Sequence, residues 1–233
     1  MNKKLKVGLI ILIVLIVIGG IIYLLFGFNK KDETTYSITN DSLKFKEEYE
    51  KLNGTASTSG KTYLTINIKS YNPFVYSSYD DIFKLLDEGT GVIYFGFPEC
   101  PWCRNLVPVL SNAAIKSGVK EILYLNIKDD RDIKELTSKG KIKTTKEGTD
   151  NYEKLVKKLY DYLPVYNGLK DDTIKRVYLP TVVFVKDGKI LGLEQSLEAF
   201  SKRVNGDAYQ EMTTEEKNAL TKIFTDYFKK EAN

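Results

Sequence analysis

Two cysteines, Cys100 and Cys103, hold all the thiol chemistry of this 233-residue chain. They enclose Pro101 and Trp102 in the stretch FGFPECPWCRNLVPVL, residues 95–110. A C-x-x-C pair of this kind can be a redox-active dithiol, half of a metal site or a structural disulfide. A disulfide that closes so short a loop restricts the unfolded chain very little, so the spacing favours the redox interpretation.

The chain contains no histidine, and this absence excludes several kinds of site. Ser-His and Cys-His nucleophilic centres and histidine-containing zinc sites all need an imidazole. Arg104 stands where haem attachment through C-x-x-C-H would need a histidine. Two cysteines also cannot complete a four-sulfur zinc site without a second chain. We therefore expect no metal and no cofactor other than the redox-active disulfide Cys100–Cys103.

The dithiol lies between a predicted strand and a predicted helix. The apolar run GVIYFGF (91–97) is typical of a strand that is buried on both faces. The helix that follows, ending near Gly118, would place Cys100 at its N-terminus, where unpaired N–H groups and the helix dipole stabilise a thiolate. Pro101 suits the first helical turn, and Cys103 lies one turn further on, close enough to attack a mixed disulfide on Cys100.

Strands and helices are predicted to alternate through the rest of the chain. In chain order they are a strand at 62–68, a helix at 79–89, the dithiol unit, a strand at 121–127, helical pieces over 128–163, a hairpin of 179–185 and 189–196 with Asp187-Gly188 at its turn, and a helix capped by Thr213 and Glu216. This order predicts an α/β fold with a mixed sheet flanked by helices, parallel where helices separate the strands and antiparallel at the hairpin.

The N-terminal segment predicts a membrane anchor. Residues 7–28 carry no charge, and as a helix they would span about 33 Å, enough to cross a bilayer core of about 30 Å. A cleaved secretory signal is the alternative, but the run is long and lacks an A-x-A cleavage pattern. The predicted organisation is a cytoplasmic segment at 1–6, an anchor at 7–28, a polar tether with one short helix at 29–61, and a folded domain at 62–233.

Charge supports an external position for the folded domain. Lys3, Lys4 and Lys6 precede the apolar run, and the positive-inside rule then places the N-terminus in the cytoplasm. Without these three lysines the net charge falls from +4 to +1. The basic character of the chain therefore belongs largely to the anchor, and nothing in the sequence indicates nucleic-acid binding.

The surroundings of the cysteines resemble the thioredoxin superfamily. The strand VIYFGF, the Cys100–Cys103 motif, the basic Arg104 and Pro108 inside the helix are similar to the active-site unit of that family. A proline inside a helix is normally costly, so Pro108 is a specific point of resemblance. The segment YLPTVVFVKDGKILG resembles the cis-proline segment of the family, with Pro180 as the cis-proline.

The resemblance implies a thiol–disulfide oxidoreductase that exchanges disulfides with protein partners. Cys100 would be the exchanging nucleophile and Cys103 the resolving cysteine. The family likeness also implies that the cis-proline segment, here Leu179, Pro180 and Thr181, docks an extended partner. The helical insertion is expected at about 129–178, before the cis-proline.

Two departures from the family concern tuning of the site. Tyr94 and Tyr124 stand where thioredoxin has a buried carboxylate and a lysine, and Pro101-Trp102 replaces Gly-Pro. These four residues are expected to set the redox potential, while the direction of electron flow stays open. On a membrane-anchored chain, the pattern is similar to the bacteriocin-transport-accessory type of Gram-positive bacteria. The alternative hypothesis is a tethered binding module with a redox-inert disulfide.

Overall fold

The structure is a computed structural model that describes residues 36–232. The predicted anchor at 7–28 lies outside these residues. Within the described part of the chain, no helix combines the length and hydropathy that a membrane span requires.

Helices and strands alternate through most of the described chain. In chain order the elements are α1 (Asn40–Glu50), β1 (Phe74–Tyr76), α2 (Tyr79–Glu88), β2 (Gly91–Phe95), α3 (Pro101–Ser117), β3 (Ile122–Leu125), β4 (Ile133–Leu136), β5 (Ile142–Lys146), α4 (Asp150–Leu159), a 3₁₀ turn (Tyr160–Tyr162), β6 (Thr181–Lys186), β7 (Lys189–Glu194), α5 (Glu198–Val204) and α6 (Thr214–Ala232).

Five strands form a mixed sheet in the order β1-β3-β2-β6-β7. Strands β1 and β2 both run parallel to β3, whereas β6 is antiparallel to β2 and to β7, as the sequence predicts. Phe95, the last residue of β2, pairs with Thr181, the first residue of β6. This register places the segment before β6 at the same edge of the sheet as the dithiol that follows β2.

The central strands are buried on both faces, so successive side chains enter two separate cores. Val92 and Tyr94 of β2 pack with residues of α1, α3 and α6, whereas Ile93 and Phe95 pack with residues of α2 and α4. The alternation follows from the two-residue period of a strand. A five-stranded mixed sheet covered by helices on both faces fits a thioredoxin-like fold.

The strand predicted at 62–68 is not a strand of the sheet. Residues 63–68 have no regular secondary structure, and the first sheet strand is β1, further along the chain. Side chains bond to their backbone groups instead: Asn53 both donates to and accepts from the backbone of Ile66, and Glu50 accepts the N–H of Ile68. The strand prediction for 62–68 is therefore wrong.

The helical interpretation of 128–148 is also wrong. This part of the insertion forms a two-stranded hairpin, β4–β5, that is separate from the main sheet. Its turn is closed by hydrogen bonds from Thr137 N–H to the Lys141 carbonyl and from Gly140 N–H to the Thr137 carbonyl, and Gly140 has a φ of +73°. Such a turn needs a left-handed residue, which glycine adopts without strain. Helix α4 confirms the helix predicted after it.

The short helix predicted in the tether is α1, and it belongs to the compact unit that begins at Tyr36. Its N-cap is Thr39, which forms a reciprocal capping box with Ser42. Phe45 and Tyr49 are fully buried in the core beneath the dithiol. The chain before residue 62 thus supplies part of the core.

The C-terminal third agrees with the sequence pattern. At the hairpin turn, Asp187 and Gly188 both have positive φ, as the two-residue turn between twisted strands requires. Thr213 and Glu216 exchange the hydrogen bonds of the predicted capping box before α6. Helix α5 lies between these elements and was not predicted.

Candidate functional site

Cys100 occupies the N-cap of α3, as the strand–helix pattern predicts. Its sulfur accepts a hydrogen bond from the backbone N–H of Cys103, with an N···S distance of 3.1 Å. Pro101 follows in the first turn, where its missing N–H costs no hydrogen bond. One N–H group of this helix end, that of Cys103, therefore points at the Cys100 sulfur, where a helix N-terminus favours negative charge.

The two thiols are free and differ in exposure. Cys100 keeps 5% of its surface exposed, whereas Cys103 is completely buried. Attack on a partner requires access, so only Cys100 is placed to react first with an external disulfide.

The cis-proline segment meets Cys100 at the outer side of the dithiol. The Leu179–Pro180 peptide bond is cis, and the Cys100 thiol donates to the Leu179 carbonyl, with an S···O distance of 3.5 Å. Leu179–Pro180 is the cis bond of the described residues, and the bond before Pro164 is trans. The structure thus brings Cys100 together with Leu179, which lies 79 residues further along the chain, and with the neighbouring Pro180.

A shallow cavity of about 340 Å³ begins beside this contact and is called the outer groove below. Its lining combines apolar and amide or hydroxyl groups: Trp102, Pro164, Asn167, Tyr178, Leu179, Pro180, Gln195, Ser196 and Ser201. Trp102 packs edge-on against Phe200 of α5, with ring centroids 5.4 Å apart. The groove carries no charged side chain, so it suits an uncharged extended segment.

Thr181, the third residue of the predicted docking segment, is fully buried. Its hydroxyl donates to the Tyr178 carbonyl at 2.6 Å and accepts from the Gln195 side chain at 3.0 Å. Thr181 therefore holds the loop before β6 together and presents no side-chain group to the groove.

The inner side of the dithiol is lined by three tyrosines, Tyr49, Tyr94 and Tyr124, called the tyrosine cluster below. Each of the three exposes at most 1% of its surface. The hydroxyls of Tyr49 and Tyr94 are hydrogen-bonded at 2.8 Å, and the rings of Tyr94 and Tyr124 stack at 5.6 Å. From the sequence, Tyr94 and Tyr124 are expected to set the redox potential, but no sequence pattern places Tyr49 beside them.

Burial raises the pKa of the Cys103 thiol well above its usual range. The neighbouring Cys100 raises it further, whereas the Phe97 backbone and the Tyr94 hydroxyl act in the opposite direction. Burial also raises the pKa of Tyr94 and of Tyr49 far beyond neutrality. Both tyrosines are therefore protonated at neutral pH and can donate hydrogen bonds, but neither can act as a base.

Arg104 is the largest residue that sequence reasoning left without a role. Its side chain is completely buried and donates to the carbonyls of Leu64, Tyr49 and Pro98 and to the Asn53 side chain. It makes no ion pair with a carboxylate in the described residues. Burial lowers its pKa, but a guanidinium remains charged at neutral pH. A cation thus lies directly after Cys103, and its hydrogen bonds connect α3 to α1 and to Leu64.

Comparison with known proteins adds little to this description. No protein-family model matches the chain, and no curated protein matches it. Among solved structures, the chain is similar to a thioredoxin-fold protein from Helicobacter pylori, with 20% identity over 63% of this chain and 88% of the other. The TM-score of that match is 0.28, which is too low to carry an argument. The functional interpretation therefore depends on the geometry of the dithiol.

Proposed function

We propose that this protein is a thiol–disulfide oxidoreductase that exchanges disulfides with protein partners through Cys100 and Cys103. The observation that carries the proposal is the placement of Cys100: its sulfur is at a helix N-terminus and within 3.5 Å of the carbonyl that precedes the cis-proline. A redox-inert disulfide has no need of a helix end, a buried second thiol and an adjoining groove.

The exchange reaction has two steps. The Cys100 thiol gives up its proton and the thiolate attacks one sulfur of a partner disulfide, so the partner S–S bond breaks and the departing sulfur takes up a proton. Cys103 then gives up its proton and attacks the Cys100 sulfur, the mixed disulfide breaks, and the second partner sulfur is protonated. The partner gains two electrons and two protons, and the dithiol loses them as Cys100–Cys103 becomes a disulfide. The reverse sequence oxidises a partner dithiol.

Each residue of the outer side has a proposed role in this reaction. The Leu179 backbone and Pro180 would position an extended partner segment, and Trp102 would form one wall of the outer groove. Thr181 would contribute by holding the loop in place, through its bonds to Tyr178 and Gln195. The pair requires no bound cofactor in this scheme.

The location of the reaction is part of the proposal. Residues 7–28 would anchor the chain in the membrane, and the lysines at positions 3, 4 and 6 would keep the N-terminus in the cytoplasm. The dithiol would then act outside the cytoplasm of a bacterial cell, in keeping with the sequence resemblance to bacteriocin-transport-accessory proteins. A membrane or extracytoplasmic redox partner would recycle it.

Trapping in living cells tests the proposal. We expect Cys103→Ser to accumulate mixed disulfides between Cys100 and partner proteins, visible as reducible high-mass bands on non-reducing gels. Cys100→Ser should give none. If Cys103→Ser traps no protein while Cys100 still reacts with alkylating reagents, the binding-module hypothesis replaces the enzyme.

A second measurement tests the location. A membrane-impermeant alkylating reagent should label Cys100 in intact cells after mild reduction, and lysis should not increase the labelling. Labelling that appears only after lysis would contradict an extracytoplasmic dithiol.

A further inference from the structure

Buried polar atoms without a hydrogen-bond partner are concentrated in one part of the molecule. Seven such side-chain atoms occur in the described residues, and three of them are Arg131 Nε, Asp132 Oδ1 and Arg176 Nε. Most buried polar atoms of a native protein are bonded, so a group of exceptions at one place is a candidate site for a binding partner. Arg131 and Arg176 are called the arginine pair below.

The arginine pair lies beside the outer groove. Arg176 donates through Nη2 to the carbonyl of Asp132, the residue after Arg131, with an N···O distance of 2.9 Å, and through Nη1 to the Tyr166 hydroxyl. Its guanidinium lies 4.3 Å from the ring centroid of Tyr166 and 5.9 Å from that of Tyr178. Tyr178 is one of the residues that line the outer groove. Arg176 is therefore adjacent to the groove, with the segment of Arg131 next to it.

Both arginines belong to segments at the edge of the sheet where the dithiol lies. Arg131 follows β3, which runs parallel to β2, so the two strands end at the same edge. Arg176 comes three residues before Leu179, whose carbonyl contacts the Cys100 sulfur. Three residues of chain span at most about 11 Å. A partner segment whose disulfide is at Cys100 can therefore reach the arginine pair within a few extended residues.

The arginine pair has no ion-pair partner among the described residues. Asp132 is paired with Lys134, and the Asp130 carboxylate accepts from a tyrosine hydroxyl at 3.0 Å. Burial lowers the pKa of Arg131, and the charge of Arg176 lowers it further. A guanidinium nevertheless stays charged at neutral pH, so two like charges lie together without a bonded anion.

We propose that the arginine pair binds a carboxylate side chain of the partner protein, a few residues away from the partner's reactive cysteine. A planar guanidinium matches a carboxylate geometrically, which makes arginine the preferred residue for such contacts. A bound carboxylate also offsets the repulsion between the two arginines. The uncharged outer groove would hold the residues next to the cysteine, so the preferred partner segment is uncharged there and acidic further along.

This inference rests on the proposed exchange function and names a class of its substrates. Two chromogenic peptides test it in the full-length reduced protein. In each, the cysteine of a short uncharged peptide is joined to nitrothiobenzoate by a disulfide. The peptides differ only in a glutamate or a glutamine about three residues from the cysteine, a distance of about 10 Å in an extended chain.

Attack by Cys100 releases the yellow nitrothiobenzoate thiolate and leaves the peptide in a mixed disulfide, which Cys103 resolves as the peptide thiol departs. Stopped-flow absorbance of the released thiolate gives a second-order rate constant for each peptide. Reaction of the same peptides with dithiothreitol measures their intrinsic reactivity and corrects the comparison.

We expect the glutamate peptide to react about fivefold faster than the glutamine peptide at low salt, and the advantage to shrink as salt screens the charges. Arg131→Gln should remove most of the advantage and leave the rate of the glutamine peptide unchanged. Arg131→Lys should keep part of it, since lysine retains the charge and loses the planar geometry. Arg203→Gln is the matched control, because the charge of Arg203 is already paired with Glu216.

Each outcome supports or overturns the inference. Equal corrected rates for the two peptides in the unmodified protein would overturn it, and this comparison does not depend on the folding of any variant. An advantage that persists in Arg131→Gln would also overturn it, as would an equal fall for both peptides, which would show a merely structural role. If neither peptide reacts with the unmodified protein, the proposed function itself is wrong, and the inference with it.

Discussion

The two sulfurs of the dithiol lie three residues apart, yet they face two different regions of the molecule. Cys100 contacts the Leu179 carbonyl, and Leu179, the cis-proline Pro180 and Trp102 line the outer groove. Cys103 faces the inner side, where the tyrosine cluster and Arg104 are buried. The difference arises because the first turn of α3 passes from the surface into the core. The Cys100 sulfur is therefore the more accessible of the two, and the Cys103 sulfur is buried.

Replacing each cysteine by serine should give the largest contrast between the two sides. Cys100→Ser should abolish disulfide exchange, whereas Cys103→Ser should keep the first attack and stop after it. Exchange with a disulfide-bonded peptide, followed by mass spectrometry of the protein, distinguishes the two results. A Cys100→Ser protein that still forms a mixed disulfide would show that Cys103 is accessible and would remove the contrast.

Substitution of Arg104 should affect stability more than any change on the outer side. Arg104→Met would leave the carbonyls of Leu64 and Tyr49 without donors, and we expect a loss of about 3 kcal/mol or more in the free energy of unfolding. Urea unfolding of the full-length protein measures it.

Arg203→Met is the matched control for that measurement. Arg203 is bonded to Glu216 near the surface, at N···O distances of 2.8 and 2.9 Å, with 37% of its side chain exposed. We expect a much smaller loss than for Arg104→Met, because an exposed ion pair contributes little to stability. Similar losses for the two variants would mean that the burial of Arg104 does not increase its contribution to the free energy of unfolding.

Trp102→Ala should change recognition and leave the chemistry of the sulfurs intact. Removal of the indole takes away one wall of the outer groove and its contact with Phe200. We expect exchange with a disulfide-bonded peptide to fall several-fold and exchange with a small chromogenic disulfide to change little. An equal fall for both substrates would place Trp102 in the chemistry of the dithiol rather than in the groove.

The smallest expected effect is the dependence of stability on pH. Because burial raises the pKa of Cys103, the folded reduced protein keeps a proton that the unfolded chain loses above about pH 8.5. The folded state then binds more protons, so the free energy of unfolding should fall as the pH rises from about 8 to about 9.5. Urea unfolding at several pH values checks this slope.

Cys103→Ser is the control for the pH experiment. Serine does not titrate in this range, so the slope above about pH 8.5 should become shallower in the reduced variant. An identical slope in both proteins would mean that other groups are responsible and that burial does not raise the pKa of Cys103.

Features that depend on neighbouring residues were well predicted. Cys100 as the start of α3, the Asp187-Gly188 turn and the Thr213–Glu216 capping box all follow from hydrogen bonds within a few residues of chain. The alternation of helices and strands also predicts a mixed sheet correctly, with β2 parallel to β3 and β6 antiparallel to β7.

Features that depend on distant partners were not predicted. The segment at 62–68 forms no strand of the sheet because Asn53, Glu50 and Arg104 bond to its backbone groups, and no local pattern reveals such partners. The exposed hairpin β4–β5 was also missed, since its alternation is weak when both of its faces meet solvent.

The sequence alone determined the position of the cysteine pair and the helix end that supports it, because local spacing and turn chemistry are sufficient for these. The proline segment that meets the pair was expected only from the family resemblance. Only the tertiary structure decided which groups surround each sulfur. Leu179 reaches Cys100 through the pairing of β2 with β6, and Tyr49 reaches the inner side through packing of α1 on the sheet. Such contacts depend on the burial of side chains that are many residues apart, and that burial is settled only when the whole core is assembled.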